Sequence, residues 1–122
     1  MSKELYDRAV AISERAYAPY SKYLVGAAVR THDGKVFEGV NVENAAYPLG
    51  VCAEKSALVK AVSDGYRPGD IAAIGITASP CGGCRQWLYE FKIGEVTFLS
   101  SSGELVTYSA ADLLPDTWGL PA

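Results

Sequence analysis

Apolar residues near the N-terminus recur at helical spacing. Leu5, Ala9, Ile12 and Ala16 are separated by four, three and four positions, which places them on one face of a helix. Pro19 then prevents the helix from continuing, because proline cannot donate the backbone hydrogen bond that a helix interior requires. We therefore predict a first helix that continues through Ala16 and ends where Pro19 stops it.

The remaining segments alternate between strand and helix patterns. Small and β-branched residues on both sides of an Asp33-Gly34 turn predict a β-hairpin. Farther along, an apolar run flanked by Gly and Pro is typical of a strand buried on both faces of a sheet. The predicted elements are strands over 24–30 and 35–41, a helix over 51–63, a strand over 71–78, a helix from Pro80 to about Phe91, strands over 95–99 and 104–108, and a short helix that Ser109 caps and that ends at Leu114.

This order of elements predicts an α/β fold. Helices that alternate with about five strands fit a mixed sheet covered on both faces, which is a three-layer α-β-α arrangement. A length of 122 residues suits one compact domain, so we expect residues 1–122 to form a single domain. Exposed edges and faces on so small a sheet favour oligomerisation, although they do not fix the number of subunits.

Composition and charge exclude some classes of binding partner. Eleven Lys and Arg against fourteen Asp and Glu give a net charge of -3, so the chain lacks the basic field on which polynucleotide binding depends. It contains no apolar stretch of membrane-spanning length, and its N-terminus shows no signal-peptide pattern. We therefore expect a cytoplasmic protein that binds neither nucleic acid nor membrane.

The three cysteines fall at the starts of two predicted helices. Cys52 precedes one of them, and Cys81 and Cys84 stand three positions apart at the start of the other. At a helix N-terminus that spacing directs both sulfurs to one side, where the helix dipole favours thiolates. Three thiolates select zinc, and zinc with three protein ligands keeps a fourth position open for water. We do not expect His32 as a fourth ligand, because this single histidine lies at a predicted hairpin tip.

Glu54 lies two positions after Cys52, near the expected metal without having to coordinate it. A carboxylate at that place is suited to exchange protons with a zinc-activated water. Taken alone, a Glu at a helix N-terminus is a common stabilising feature, and a lone Cys is usually a small buried hydrophobe. The combined pattern favours a catalytic zinc site. A structural zinc module, in which Glu54 has no function, is the alternative from another class.

The two motifs resemble the zinc signature of the cytidine deaminases, in the small-subunit, homotetrameric branch with three cysteine ligands. The resemblance implies one Zn²⁺ per subunit and hydrolytic deamination of cytidine and deoxycytidine in pyrimidine salvage. It implies Cys52, Cys81 and Cys84 as the metal ligands and Glu54 as the catalytic residue. The matching segments are Cys52-Ala53-Glu54, Pro80-Cys81-Gly82-Gly83-Cys84-Arg85-Gln86, Tyr17-Ala18-Pro19-Tyr20-Ser21, Val25-Gly26-Ala27-Ala28, Asp33-Gly34, Asn41-Val42-Glu43-Asn44-Ala45-Ala46-Tyr47 and Leu113-Leu114-Pro115.

The resemblance also implies which residues contact the nucleoside. Asn41 and Glu43 would hydrogen-bond the ribose 3′-hydroxyl, and a site built for that hydroxyl leaves polar groups unpaired when the hydroxyl is missing. The Ala53 N–H would meet the pyrimidine O2, and the Ser79 carbonyl would face the departing ammonia. Tyr47 would reach the ribose pocket of a neighbouring subunit, which would make a homotetramer part of the site.

Three positions depart from the family pattern. Lys55 replaces an Arg that hydrogen-bonds the thiolates, so we expect Lys55 and the helix N-termini to share the neutralisation of the zinc site. Tyr23 replaces a Phe that lies against the pyrimidine, and segment 77–79 is shorter than the usual loop. These departures leave open a modified cytosine nucleoside or an antibiotic such as blasticidin S as the substrate. For Trp118, packing and base stacking are equally open.

Overall fold

The chain forms one five-stranded sheet with three α-helices within residues 2–119, the part that the computed structural model describes. Met1 and residues 120–122, which the single-domain expectation includes, lie outside the described residues. Across 2–119, no helix combines the length and apolarity needed to cross a bilayer. The elements are α1 (Lys3–Ser13), β1 (Gly26–Thr31), β2 (Val36–Val40), α2 (Ala53–Ser63), β3 (Ile71–Ile76), α3 (Gly82–Glu90), β4 (Glu95–Leu99) and β5 (Leu105–Tyr108).

The sheet is mixed, with strand order β2-β1-β3-β4-β5. Strands β1 and β2 form the predicted hairpin, in which Gly26 pairs with Val40, and Gly34 takes the positive φ of 96° that its turn requires. The β3 and β4 strands run parallel, and the other neighbouring strands are antiparallel. Because β3 lies at the centre and is buried along most of its length, its unbroken apolar run is explained. The prediction of a mixed five-stranded sheet is confirmed.

Helices cover both faces of the sheet. On one face, Leu5 of α1 packs against Ala28 and Ala73 of the central strands. On the other face, α2 and α3 bury Leu58 and Leu88 in the main core, and full burial of such a side chain contributes about 1.5–3 kcal/mol. The predicted three-layer α-β-α arrangement is therefore confirmed, and it places the N-termini of α2 and α3 on the same side of the sheet.

Close packing of α2 on β2 fixes the start of that helix. A Cβ atom added at Gly39 would lie 2.8 Å from the Ala53 carbonyl oxygen and would also meet the Ala57 backbone, so only glycine permits this approach. The Ser56 hydroxyl donates a hydrogen bond of 2.8 Å to the Val40 carbonyl. These contacts hold the first turn of α2, and with it Cys52, at the end of β2.

Two sequence predictions need correction. Helix α1 ends at Ser13 rather than close to Pro19, because Tyr17 instead forms a β-bridge with Val42. The predicted helix after Ser109 is wrong: this segment forms turns, in which Leu113 N donates to Ala110 O and Leu114 N to Ala111 O. The hydrogen bonds of this segment span three positions rather than the four of an α-helix, and Pro115 has no N–H with which to continue a helix.

Candidate active site

The three cysteines converge at the N-termini of α2 and α3. Their Sγ atoms all lie within 4.8 Å of one another, and the distance from Cys52 Sγ to Cys81 Sγ is 4.0 Å. Tetrahedral zinc with Zn–S bonds near 2.3 Å requires sulfurs about 3.8 Å apart. The donor set and its spacing therefore fit zinc. Within the described residues this is the single cluster of three metal-ligating side chains, and His32 lies exposed outside it.

Helix termini stabilise the sulfurs electrostatically. Cys52 is the N-cap of α2 and Cys81 is the N-cap of α3, where unpaired backbone N–H groups and the helix dipole favour negative charge. The Cys84 backbone N–H donates to Cys81 Sγ at 3.4 Å. Hydrogen bonding with Cys84 and Cys81 and the charge of Lys55 lower the pKa of Cys52 to about 6. The pKa of Cys84 is raised, first by its hydrogen bond to Cys52 and then by burial.

Glu54 lies beside the sulfurs and is nearly inaccessible to solvent. Glu54 is only 4% exposed, although it forms part of the wall of the adjacent cleft. Burial, which disfavours the charged carboxylate, raises the pKa of Glu54 to about 7. The side chain is therefore placed to hold and release a proton next to the thiol cluster.

A cleft of about 680 Å³ opens onto the thiol cluster. All six residues that the resemblance assigns to nucleoside binding line it, although Tyr47 is 89% exposed at its rim. The short segment 77–79 forms one wall. The six residues are Tyr23, Asn41, Glu43, Tyr47, Ala53 and Ser79.

Asn41 and Glu43 also hold the segment before β1. Asn41 Oδ1 accepts from Val25 N at 2.8 Å, and its Nδ2 donates to the Tyr23 carbonyl at 2.9 Å. Glu43 accepts from the backbone N–H groups of residues 20 and 21 at 3.0 and 3.2 Å. Both side chains are thereby fixed before any substrate arrives, which is the pre-organisation that a binding site requires.

Two residues with predicted roles lie outside the cleft. The Lys55 Nζ is 5.8 Å from the centre of the Trp87 ring, close enough for a weak cation–π interaction, and its charge also acts on Cys52. Trp118 is 71% exposed, and its carbonyl accepts a hydrogen bond of 3.4 Å from Gln86. Base stacking by Trp118 stays a prediction.

Arg85 is a site residue whose contacts the sequence does not reveal. Its guanidinium donates to the Pro80 carbonyl at 2.9 Å, to the Leu113 carbonyl at 3.1 Å and to the Ser79 hydroxyl at 3.2 Å. Arg85 therefore ties the loop before Cys81 to the C-terminal turns. The position of Arg85 within the cysteine motif was the only signal for it in the sequence. Its bond to Leu113, 28 positions away, cannot be predicted from a local pattern.

The sequence matches known deaminases over most of its length. Residues 1–100 match the family model for the cytidine and deoxycytidylate deaminase zinc-binding region. The chain is 44% identical over 110 residues to a cytidine deaminase of Sporosarcina psychrophila, covering 84% of this chain and 79% of that protein. It is 40% identical over 119 residues to one from Halalkalibacterium halodurans, with coverage of 91% and 89%. A crystal structure of cytidine deaminase from Burkholderia pseudomallei superimposes with a TM-score of 0.89 at 46% identity, covering 97% and 99% of the two chains.

Fold and site together define a class of protein. A mixed sheet between helical layers, with three thiols and a buried carboxylate at two helix N-termini, is the framework of a zinc-dependent hydrolase. The chain belongs to the cytidine and deoxycytidylate deaminase family. The family assignment made from residues 52–54 and 80–86 is confirmed, and the matches do not favour the structural zinc module.

Proposed function

We propose that residues 1–122 form one zinc-dependent catalytic domain that hydrolyses cytidine and deoxycytidine to uridine and deoxyuridine, with release of ammonia. The observation on which this rests is the cleft that ends at three clustered thiols and the buried Glu54. Similarity to cytidine deaminases supports the same substrates. A modified cytosine or blasticidin S has no comparable support among these matches.

Glu54 is proposed to move the protons of the reaction. Zinc held by Cys52, Cys81 and Cys84 supplies the Lewis acidity that makes water nucleophilic near neutral pH. Glu54 accepts a proton from the attacking water and delivers it to N3 of the pyrimidine. It then transfers the second water proton to the 4-amino group, which leaves as ammonia. Because Glu54 is buried, bulk water has little access to the carboxyl group during these transfers.

Three cleft residues are proposed to orient the base. Ala53 is the first residue of α2, where the backbone N–H has no helical partner and is available for the pyrimidine O2. Ser79 lies on the wall that precedes Pro80, and its carbonyl is proposed to accept from the departing ammonia. The Tyr23 ring is proposed to lie against the pyrimidine face, with its hydroxyl at the open side of the cleft.

Asn41 and Glu43 are proposed to bind the 3′-hydroxyl of the sugar. Asn41 has one N–H left after its bonds to the segment before β1, and Glu43 keeps a free acceptor position. A hydroxyl can accept from the first and donate to the second at the same time. The pair therefore suits a sugar hydroxyl better than it suits an apolar substituent.

The charge of the cleft favours nucleosides over nucleotides. Among the described residues that line it, none is Lys, Arg or His, whereas Glu43 and Glu54 are carboxylates. A 5′-phosphate would meet carboxylates and no basic side chain of these residues, and a like-charge juxtaposition costs several kcal/mol. Within a family whose name covers both substrate types, we therefore assign this chain to the nucleosides.

A homotetramer is proposed to complete the site. Tyr47, at the cleft rim, is 89% exposed, and the nearby Leu49 is 70% exposed. Exposed apolar patches commonly mark interfaces. Tyr47 would then contact the ribose in a neighbouring subunit. Mixing Glu54→Gln subunits with Tyr47→Ala subunits tests this: mixed tetramers should recover activity that neither variant has, and no recovery would contradict a shared site.

We also propose that the protein works in a reducing compartment and takes part in pyrimidine salvage. Zinc binding requires Cys52, Cys81 and Cys84 as thiolates rather than disulfides, which favours the cytoplasm. Conversion of a free cytosine nucleoside to its uracil counterpart is a salvage step, because it acts on preformed nucleosides.

A substrate panel tests the proposed function. Zinc-loaded protein is incubated with cytidine, deoxycytidine, deoxycytidine 5′-monophosphate, adenosine and blasticidin S, while ammonia and the ultraviolet absorbance are followed. Glu54→Gln protein from the same purification controls for contaminating activity. We expect turnover of the two nucleosides, with kcat/KM at least on the order of 10²-fold above the nucleotide. Preference for the nucleotide or for blasticidin S would overturn the substrate assignment.

A further inference from the structure

Ser21 forms hydrogen bonds with two residues that line the cleft, Glu43 and Tyr23. It lies in the segment between α1 and β1 and lines the cleft. Its hydroxyl donates to Glu43 Oε2 and accepts from the Tyr23 backbone N–H at 3.0 Å. Its own backbone N–H donates to Glu43 Oε1 at 3.2 Å. One short side chain therefore contacts both the sugar-binding carboxylate and the backbone of the residue assigned to the base.

The hydrogen bonds leave Glu43 one acceptor position. A carboxylate offers about four lone-pair directions, and the Tyr20 N–H, the Ser21 N–H and the Ser21 hydroxyl occupy three of them. These bonds, with the Ser21 hydroxyl first, also lower the pKa of Glu43, so the group stays an anion at neutral pH. The remaining position is available to a single hydroxyl in the cleft.

The Ser21 hydroxyl helps to set the orientation of the Glu43 carboxylate, and so the direction of its free acceptor position. The two backbone N–H groups both bind Oε1, and the Ser21 hydroxyl is the described partner of Oε2. The last torsion of a Glu side chain is broad and two-fold. Without the hydroxyl, only the two bonds to Oε1 hold the carboxylate, so its plane is less firmly fixed and part of the pre-organisation is lost.

We propose that Ser21 is a positioning residue for sugar recognition, which orients the Glu43 carboxylate so that its free acceptor position meets the 3′-hydroxyl of the nucleoside. This inference rests on the proposed function, because it requires a nucleoside in the cleft. It assigns Ser21 no contact with the reacting atoms.

The test compares cytidine with 3′-deoxycytidine, using zinc-loaded protein. In Ser21→Ala we expect KM for cytidine to rise about tenfold, since a hydrogen bond to a charged group is lost, while kcat changes less than about twofold. The kinetics of 3′-deoxycytidine should change much less, because for that substrate only the bond from the Tyr23 backbone N–H is lost. Ser21→Thr, which retains a hydroxyl, should restore the preference for cytidine. Ser13→Ala is the matched control, because the Ser13 hydroxyl bonds a carbonyl in α1 outside the cleft.

The outcomes separate this inference from the proposed function. Equal effects of Ser21→Ala on both substrates, or no effect on either, would overturn the role of Ser21 while cytidine turnover by the unmodified chain still supports the function. Failure of the unmodified chain to deaminate cytidine would overturn both. Glu43→Gln should reduce the preference as Ser21→Ala does, and adding Ser21→Ala to it should have little further effect. Full additivity of the two changes would contradict positioning through Glu43.

Discussion

The Sγ atoms of Cys52 and Cys81 lie 4.0 Å apart, although 29 positions separate the two residues in the chain. Each cysteine is the N-cap of a helix, and both helices pack on the same face of the sheet. The ligand set therefore exists only in the folded chain. Zinc that binds the folded state and not the unfolded state must stabilise the fold.

Removal of zinc is expected to lower the thermal stability. At a free zinc concentration of about a thousand times Kd, binding contributes about 4 kcal/mol, so a chelator should lower Tm by at least about 8 °C. Differential scanning calorimetry measures the shift. In Cys84→Ser, which lacks one ligand, Tm should respond much less to zinc or chelator. An equal response in this variant would contradict the three-cysteine site.

Lys55 is expected to strengthen zinc binding through its charge. Three thiolates around one divalent ion leave a net negative site. The pKa of Cys52 is lowered first by its hydrogen bond with Cys84, then by that with Cys81, and also by the charge of Lys55. Lys55→Ala should therefore raise the zinc Kd about tenfold, the lower end for residues that support metal ligands, as measured by chelator competition. Lys60→Ala is the control, because Lys60 lies on the same helix and bonds the Glu38 carbonyl. Equal zinc affinity in the two variants would show that Lys55 does not support zinc binding.

Arg85 is expected to maintain the wall of the cleft. Arg85→Lys keeps the charge but loses the planar fork that reaches Pro80, Ser79 and Leu113. We expect kcat/KM to fall about tenfold, because small misplacement of site groups is costly. Arg67→Lys is a matched control: Arg67 also donates to two carbonyls, but in the exposed turn after α2. Comparable losses in both variants would exclude a specific role for Arg85.

Gly39 is expected to be essential for the packing of α2. Gly39→Ala places a methyl group against the backbone of Ala53 and Ala57, and such overpacking costs about 1–3 kcal/mol. Urea unfolding of the zinc-loaded protein gives the free energy. Gly94→Ala serves as control, because a Cβ there meets nothing within 4 Å. Similar stability of the two variants would show that α2 shifts at no cost.

The sequence allowed the strands and the zinc site to be predicted because both have strong local signals. The apolar run of β3 and the Asp33-Gly34 turn are such signals, and the cysteine motifs indicate which side chains cluster. Long-range contacts were not predictable. The bridge of Tyr17 to Val42 ends α1 early, and the bond from Arg85 to the Leu113 carbonyl lies in the segment wrongly predicted as a helix.

The part of the cleft around Asn41 and Glu43 was predictable only in part. The family motif indicated Asn41 and Glu43, but local pattern could not show that Ser21 holds Glu43 from 22 positions away. The approach of α2 to β2 at Gly39 was equally hidden, because a glycine in a strand has several explanations. In both cases the decisive contact depends on tertiary packing.

Paired measurement of zinc and turnover in Glu54→Gln tests the central claim most directly. Zinc per chain is determined by atomic emission, and cytidine turnover is measured on the same preparation. The account predicts that zinc stays at one per chain, because Glu54 is not a ligand, while kcat falls on the order of 10²-fold or more. Turnover that persists in the zinc-loaded variant would contradict the role of Glu54, and loss of zinc would contradict its place beside the metal.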